Sequence, residues 1–222
     1  MRTIQLGLLL VVAACHAPGP GRGASATPGH GDATGALVAS DPAAVSELEV
    51  SALPPALRDR GVVEKAISWT DQLGTHIAVF SSLESRAGHA RQLRVTHALQ
   101  DGSGAVAIVR TVSDGITDCD EGDLTVQFVM PTIAVTDLDR DGHSELTFAY
   151  RMNCTTDVSP SDVEVIVLDQ DTTYALRGHA ALEAMGPDPA RASTFAADPA
   201  EARWPAPLLA HAKTAWGMVP PG

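Results

Sequence analysis

From about residue 47 the apolar residues fall in short runs that alternate with polar ones. Period-2 alternation between turn residues is the mark of half-buried strands. It predicts strands over Val62–Trp69, Thr75–Phe80, Arg91–Leu99, Ala105–Val112, Leu124–Val129, Ile133–Thr136, Leu146–Arg151, Val163–Leu168 and Thr172–Leu176. In the third run Leu93, Val95 and His97 alternate with Arg94 and Thr96. The turn clusters are Asp71-Gln72-Leu73-Gly74, Gln100-Asp101-Gly102-Ser103-Gly104 and Asp169-Gln170-Asp171. Leu57 to Gly61 reads as an entry turn or short helix, and Pro187 to Pro207 is ambiguous. Near the end, Leu208, Leu209, Ala212 and Trp216 share one helical face over Ala206–Trp216, with Trp216 read as core. Strands at this spacing without long helices between them predict a mostly β fold, a single antiparallel domain over 47–222 with a short C-terminal helix.

The N-terminal pattern is different. Arg2 precedes an apolar stretch from Ile4 to Ala14, and the stretch ends Val12-Ala13-Ala14-Cys15. A charged start, an apolar run of about ten residues and small residues before a cut are the parts of a secretory signal peptide. The run is shorter than the ~20 residues a membrane-spanning helix needs. A cysteine directly after the small pair resembles the lipobox of bacterial lipoproteins. The resemblance implies a signal peptide over 1–14, lipidation of Cys15 and an extracytoplasmic, membrane-anchored chain. The plainer alternative is an ordinary signal peptide with an incidental cysteine. His16, rather than Asp, after the cysteine implies the outer membrane. Residues 15–46 are rich in Pro, Gly, Ala, Ser and Thr. They carry too little apolar surface to offset the entropy of ordering and read as a tether.

The formal charge is −12. That balance argues against nucleic acid, which is bound by neutralising phosphates with Lys and Arg. It also leaves membrane attachment to acyl chains rather than basic residues. Of three cysteines, Cys119 and Cys154 remain after lipidation, an even pair in an oxidising compartment and so an expected disulfide.

One segment concentrates chemistry. Asp137-Leu138-Asp139-Arg140-Asp141-Gly142-His143-Ser144-Glu145 places carboxylates at positions 1, 3, 5 and 9 with Gly at 6. Ca²⁺ takes six to eight oxygens. A tight turn here would offer Asp137, Asp139, Asp141, the His143 carbonyl and Glu145 to one ion, with Gly142 permitting the turn. Phe148 stands where an EF-hand has its twelfth ligand, and strand-like runs flank the loop. The loop therefore resembles the EF-hand-like calcium turns between strands of integrin-type repeats, without that fold. An acidic hairpin turn that binds nothing is the alternative.

The segments Trp69-Thr70-Asp71-Gln72-Leu73-Gly74, the Asp-rich loop, Ala149-Tyr150-Arg151-Met152-Asn153-Cys154, Asp157-Val158-Ser159-Pro160 and Tyr174-Ala175-Leu176-Arg177-Gly178 occur in this order. Together they resemble a family of bacterial envelope proteins of unknown mechanism, some labelled surface polysaccharide biosynthesis protein. The resemblance spans roughly 62 to 180 and carries no catalytic residues across. None of the histidines forms His-Glu-x-x-His, and there is no Gly-x-Ser-x-Gly elbow or phosphate-binding Gly loop. His97 and His179 read as strand or turn residues. Asp118, Asp120, Glu121 and Asp123 read as a solvated acidic loop. The expected function is a lipid-anchored, calcium-stabilised binding or structural protein of the cell envelope, its partner an envelope glycan or protein. The alternative is an enzyme or accessory factor acting on surface polysaccharide through carboxylates such as Asp137, Glu145 or Asp157.

Overall fold

The computed structural model describes residues 44–58, 61–120, 122–156, 159–182 and 192–221. The signal peptide, Cys15, nearly all of the tether, Glu121 and Asp157 lie outside them.

The chain is mostly β, with two antiparallel sheets. The first contains β1 (Ser46–Glu47), β2 (Val62–Asp71), β3 (Gly74–Glu84), β4 (Arg91–Gln100) and β5 (Val106–Ile116) in sequential order. The second contains β6 (Asp123–Phe128), β7 (Ala134–Thr136), β8 (Glu145–Thr155), β9 (Asp162–Asp169), β10 (Thr172–His179) and β11 (Thr194–Asp198). Its order is β11-β10-β9-β8-β6, with β7 also paired to β8. Every predicted strand is present. β11 lies in the stretch that the sequence left ambiguous, and β1 begins at the last tether residue.

Alternation explains the layers. The inward phases of β2, β3 and β4 bring Ile67, Trp69, Phe80 and Val95 against Phe128, Leu146, Phe148 and Ile166 of the second sheet. Phe80 meets Phe128 and Phe148 edge-on, at centroid distances of 5.4 and 5.7 Å. The central strands of the second sheet are apolar on both faces. Val163, Val165 and Val167 point away from the sandwich and are covered by α1 (Ala206–Trp216) through Leu208, Ala212 and Trp216. This is why Val163–Leu168 reads as an unbroken apolar run. On the far side of the first sheet, Leu53 and Leu57, held in 3-10 turns at Val50–Ala52 and Pro55–Leu57, cover Ile77, Val79 and Ala98.

The hairpin from β6 through β8 has an interrupted first arm. β7 pairs with β8 as Val135↔Leu146. Continuing that register would set Gln127 opposite Cys154. The structure corrects this: Leu124 faces Cys154 and Phe128 faces Tyr150. The difference is taken up by the three-residue 3-10 turn Met130–Thr132, where Pro131 cannot donate to the ladder. The Thr132 hydroxyl repairs the gap. It accepts from the Ala149 N–H at 2.8 Å and donates to the Val129 carbonyl at 2.7 Å. The shift brings Cys119 within reach of Cys154, and the two form a disulfide with a Cα–Cα distance of 5.7 Å. Cys119 lies where the chain crosses from the first sheet to the second. Its N–H donates to the His89 carbonyl in the β3–β4 turn at 2.8 Å. The bond therefore clips the open end of the hairpin to the first sheet.

Candidate cation loop and the adjoining histidine cleft

The Asp-rich segment is the closed end of the same hairpin, between β7 and β8. Arg140 and Gly142 take left-handed backbone, φ 62° and 87°. The turn is further built by carboxylates accepting nearby N–H groups. Asp141 N donates to Asp139 Oδ1 at 3.3 Å, and His143 N donates to Asp141 Oδ1 at 2.8 Å.

Asp137, Asp139 and Glu145 converge, each with a carboxylate oxygen within 4.8 Å of the others. Oxygens bound to one calcium at 2.3–2.6 Å lie no more than about 5.2 Å apart, so this group could hold a metal ion. Asp141 is not among the three. It is exposed, and its Oδ2 accepts from Gln170 Nε2 at 2.6 Å. The His143 ring is half-buried and lines a cleft beside the loop. Glu145 is 1% exposed. Its carboxylate accepts from Thr136 Oγ1 at 2.8 Å and from the Leu138 N–H at 3.1 Å. Burial raises its pKa, the hydrogen bonds oppose the rise, and the Asp139 charge adds to it. Burial also raises the pKa of Asp169, with Asp139 and Asp141 adding to the effect. The loop is thus crowded with like charge, the condition a cation relieves.

The loop is docked on the β2–β3 turn. Ser144 N donates to Asp71 Oδ2 at 2.8 Å, and Gln72 N donates to the Gly142 carbonyl at 3.3 Å. Asp71 begins a line of polar groups that sequence reasoning missed. Its Oδ1 lies 2.8 Å from His76 Nε2, and His76 Nδ1 lies 2.9 Å from His97 Nε2. Trp69 stacks on both rings, at centroid distances of 5.1 and 5.4 Å. His76 is 4% exposed. The signal was present in the alternation: His76 shares the phase of Ala78 and Phe80, and His97 that of Leu93 and Val95. A histidine in the core phase of two neighbouring strands needs a buried partner. His179, by contrast, is exposed and pairs with Asp162 at 2.9 Å.

Burial pushes Asp71 up, but the hydrogen bonds from Ser144, His76 and Leu73 outweigh it and hold the carboxyl below its ordinary range. Burial lowers His97 to about 4, helped by the charges of His76 and Arg110 and opposed by Asp71. The line ends at a cleft of about 280 Å³, walled by Leu73, Leu99, Val109 and Leu168 and rimmed by Gln170 and Asp171. A bulge in β5 between the pairs His97↔Arg110 and Ala98↔Ile108 leaves Val109 unpaired at this point.

Comparison with known proteins found no matching family model, no matching curated protein and no matching solved structure.

Proposed function

We propose that this chain is a calcium-stabilised β domain with a binding or structural role in the bacterial cell envelope, tethered to the membrane through a lipid on Cys15. The observation that supports it most directly is the convergence of Asp137, Asp139 and Glu145 at the closed end of one hairpin. Hard oxygens in a tight turn select a hard cation, and calcium is the plentiful one outside the cytoplasm. The Cys119–Cys154 disulfide fits an oxidising compartment. The lipobox resemblance at Val12-Ala13-Ala14-Cys15 supplies the anchor.

Titration calorimetry tests the calcium reading. The wild-type chain binds Ca²⁺, and Asp139→Ala abolishes binding. At 100 times its dissociation constant the ion adds about 2.7 kcal/mol to stability. No heat of binding at millimolar Ca²⁺ would overturn this reading. The second reading, a factor acting on surface polysaccharide, is supported by the segments of 62 to 180 that resemble the envelope family. Retention of the chain on immobilised surface glycan, with turnover of that glycan, would favour it.

A further inference from the structure

The cleft beside the loop has a polarity of its own. With both rings neutral, the order of donors along Asp71, His76 and His97 is fixed. The Asp71 carboxylate only accepts, so His76 Nε2 carries the proton that faces it. His76 Nδ1 is then a lone pair and must accept from His97 Nε2. That leaves His97 Nδ1 as a lone pair. His97 lines the cleft, where that lone pair is its remaining acceptor.

The charge of the surroundings decides what can meet that acceptor. Asp171 stands on the rim, and His143 is the only other titratable lining group besides Asp71 and the two relay histidines. No Lys or Arg lines the cleft. The nearby Arg110 turns Nη1 onto the Thr172 carbonyl and Thr173 Oγ1 and Nη2 onto the Gln170 carbonyl, at 2.7–2.8 Å. The Arg110 charge reaches His97, but with Nη1 and Nη2 turned onto Thr172, Thr173 and Gln170 an anion finds no cationic side chain lining the cleft, while a cation finds a carboxylate and a lone pair. The walls are apolar, which suits an organic body better than a bare metal ion.

We propose that this cleft is a binding site for a small organic monocation, a primary ammonium on a short apolar body. His97 Nδ1 accepts one ammonium proton, Asp171 supplies the countercharge, and Leu99, Val109 and Leu168 hold the body. The site is independent of the calcium reading, since none of the three converging carboxylates lines it.

The test is an NMR titration of the disulfide-intact chain with benzylammonium chloride and, separately, benzyl alcohol, above the titration of the histidines. Benzylammonium is expected to move the His97 ring resonances and saturate, binding about tenfold more tightly than the alcohol. Asp171→Asn and His97→Leu should each weaken it about fivefold or more, and Asp139→Asn should leave it unchanged. Equal binding of the two probes would reduce the cleft to an apolar hollow and overturn the proposal. So would binding that survives Asp171→Asn, that is lost in Asp139→Asn, or that leaves the His97 ring unmoved in the wild-type chain. The wild-type resonances and Asp171→Asn decide the matter even if His97→Leu does not fold.

Discussion

A histidine placed in the apolar phase of a strand must either find a partner or cost stability. His76 and His97 solve this with Asp71 and the Trp69 face. The solution was half legible in the sequence. The phase of His97 was plain, but the pairing depends on which strand lies beside which, and alternation does not specify neighbours. The arrangement has a consequence for pH. The unfolded chain takes up a proton at an ordinary histidine near 6.5, whereas folded His97 resists protonation until about 4. Stability therefore falls as pH drops through that window, by about 3 kcal/mol in total from this one group. Asp71, held below its ordinary range, adds a loss only at lower pH, as its own folded value is crossed. Glu145 and Asp169, held above theirs, work in the opposite direction. The clean measurement is a difference. Urea unfolding of wild type and His97→Phe at neutral pH and near pH 4.5 should show a smaller acid-side loss in the variant. Equal losses would mean that His97 titrates normally.

At the scale of the element, the hairpin from β6 through β8 carries both constraints that the sequence announced, the acidic loop and the disulfide. Its strands were legible from alternation, and its loop from Asp spacing and Gly142. Its register was not, because a turn of three residues around Pro131 leaves no mark in the apolar period. Nor did the sequence show Asp141 leaving the converging group for Gln170, a contact between two turns set far apart in the chain. Gly142 is the most exposed point of this design to mutation. Its φ of 87° disfavours any side chain, and a Cβ would run into the side chain of Gln72, whose backbone N–H docks the loop. Gly142→Ala should cost about 1–2 kcal/mol in chemical unfolding and, if the loop holds calcium as proposed, weaken Ca²⁺ binding. A neutral effect would show that the loop docks differently. The disulfide sits at the other end of the same strands. In the chain-entropy model, closing a loop of this length contributes about 3–4 kcal/mol. Both devices restrain one pair of strands, so their effects should not add. If the loop holds calcium as proposed, reduction of Cys119–Cys154 is expected to lower Ca²⁺ affinity measurably. Equal affinity in oxidised and reduced protein would show that the two ends of the hairpin are uncoupled.

At the scale of the molecule, the second sheet is the middle layer, with the first sheet on one face and α1 on the other. Tyr150, buried on β8, joins the second sheet to the first through Asp114, and a chain of polar contacts continues from it across the second sheet. Tyr150 Oη approaches Asp114 of β5 and Glu164 of β9 at 3.0 and 2.8 Å, and Arg177 of β10 holds Glu164 at 2.9 Å. Among the described residues no helix is long and apolar enough to cross a membrane. On the lipobox reading, attachment to a membrane rests on Cys15. The mature chain would be still more acidic than −12 once Arg2 is removed, and an acidic surface gains nothing from anionic headgroups. Acyl chains must then supply the whole affinity, and more than one is needed, because a single chain gives only marginal, reversible binding. Replacing the cysteine should therefore be all or none rather than graded. Cys15→Ser is expected to leave the fold and the disulfide intact and to move the protein from the membrane pellet to the soluble fraction in both low and high salt. Loss from the membrane only in high salt would point to an electrostatic contact instead. A variant that still pellets, together with a native chain that takes up no labelled fatty acid, would remove the anchor and leave an ordinary secreted β domain.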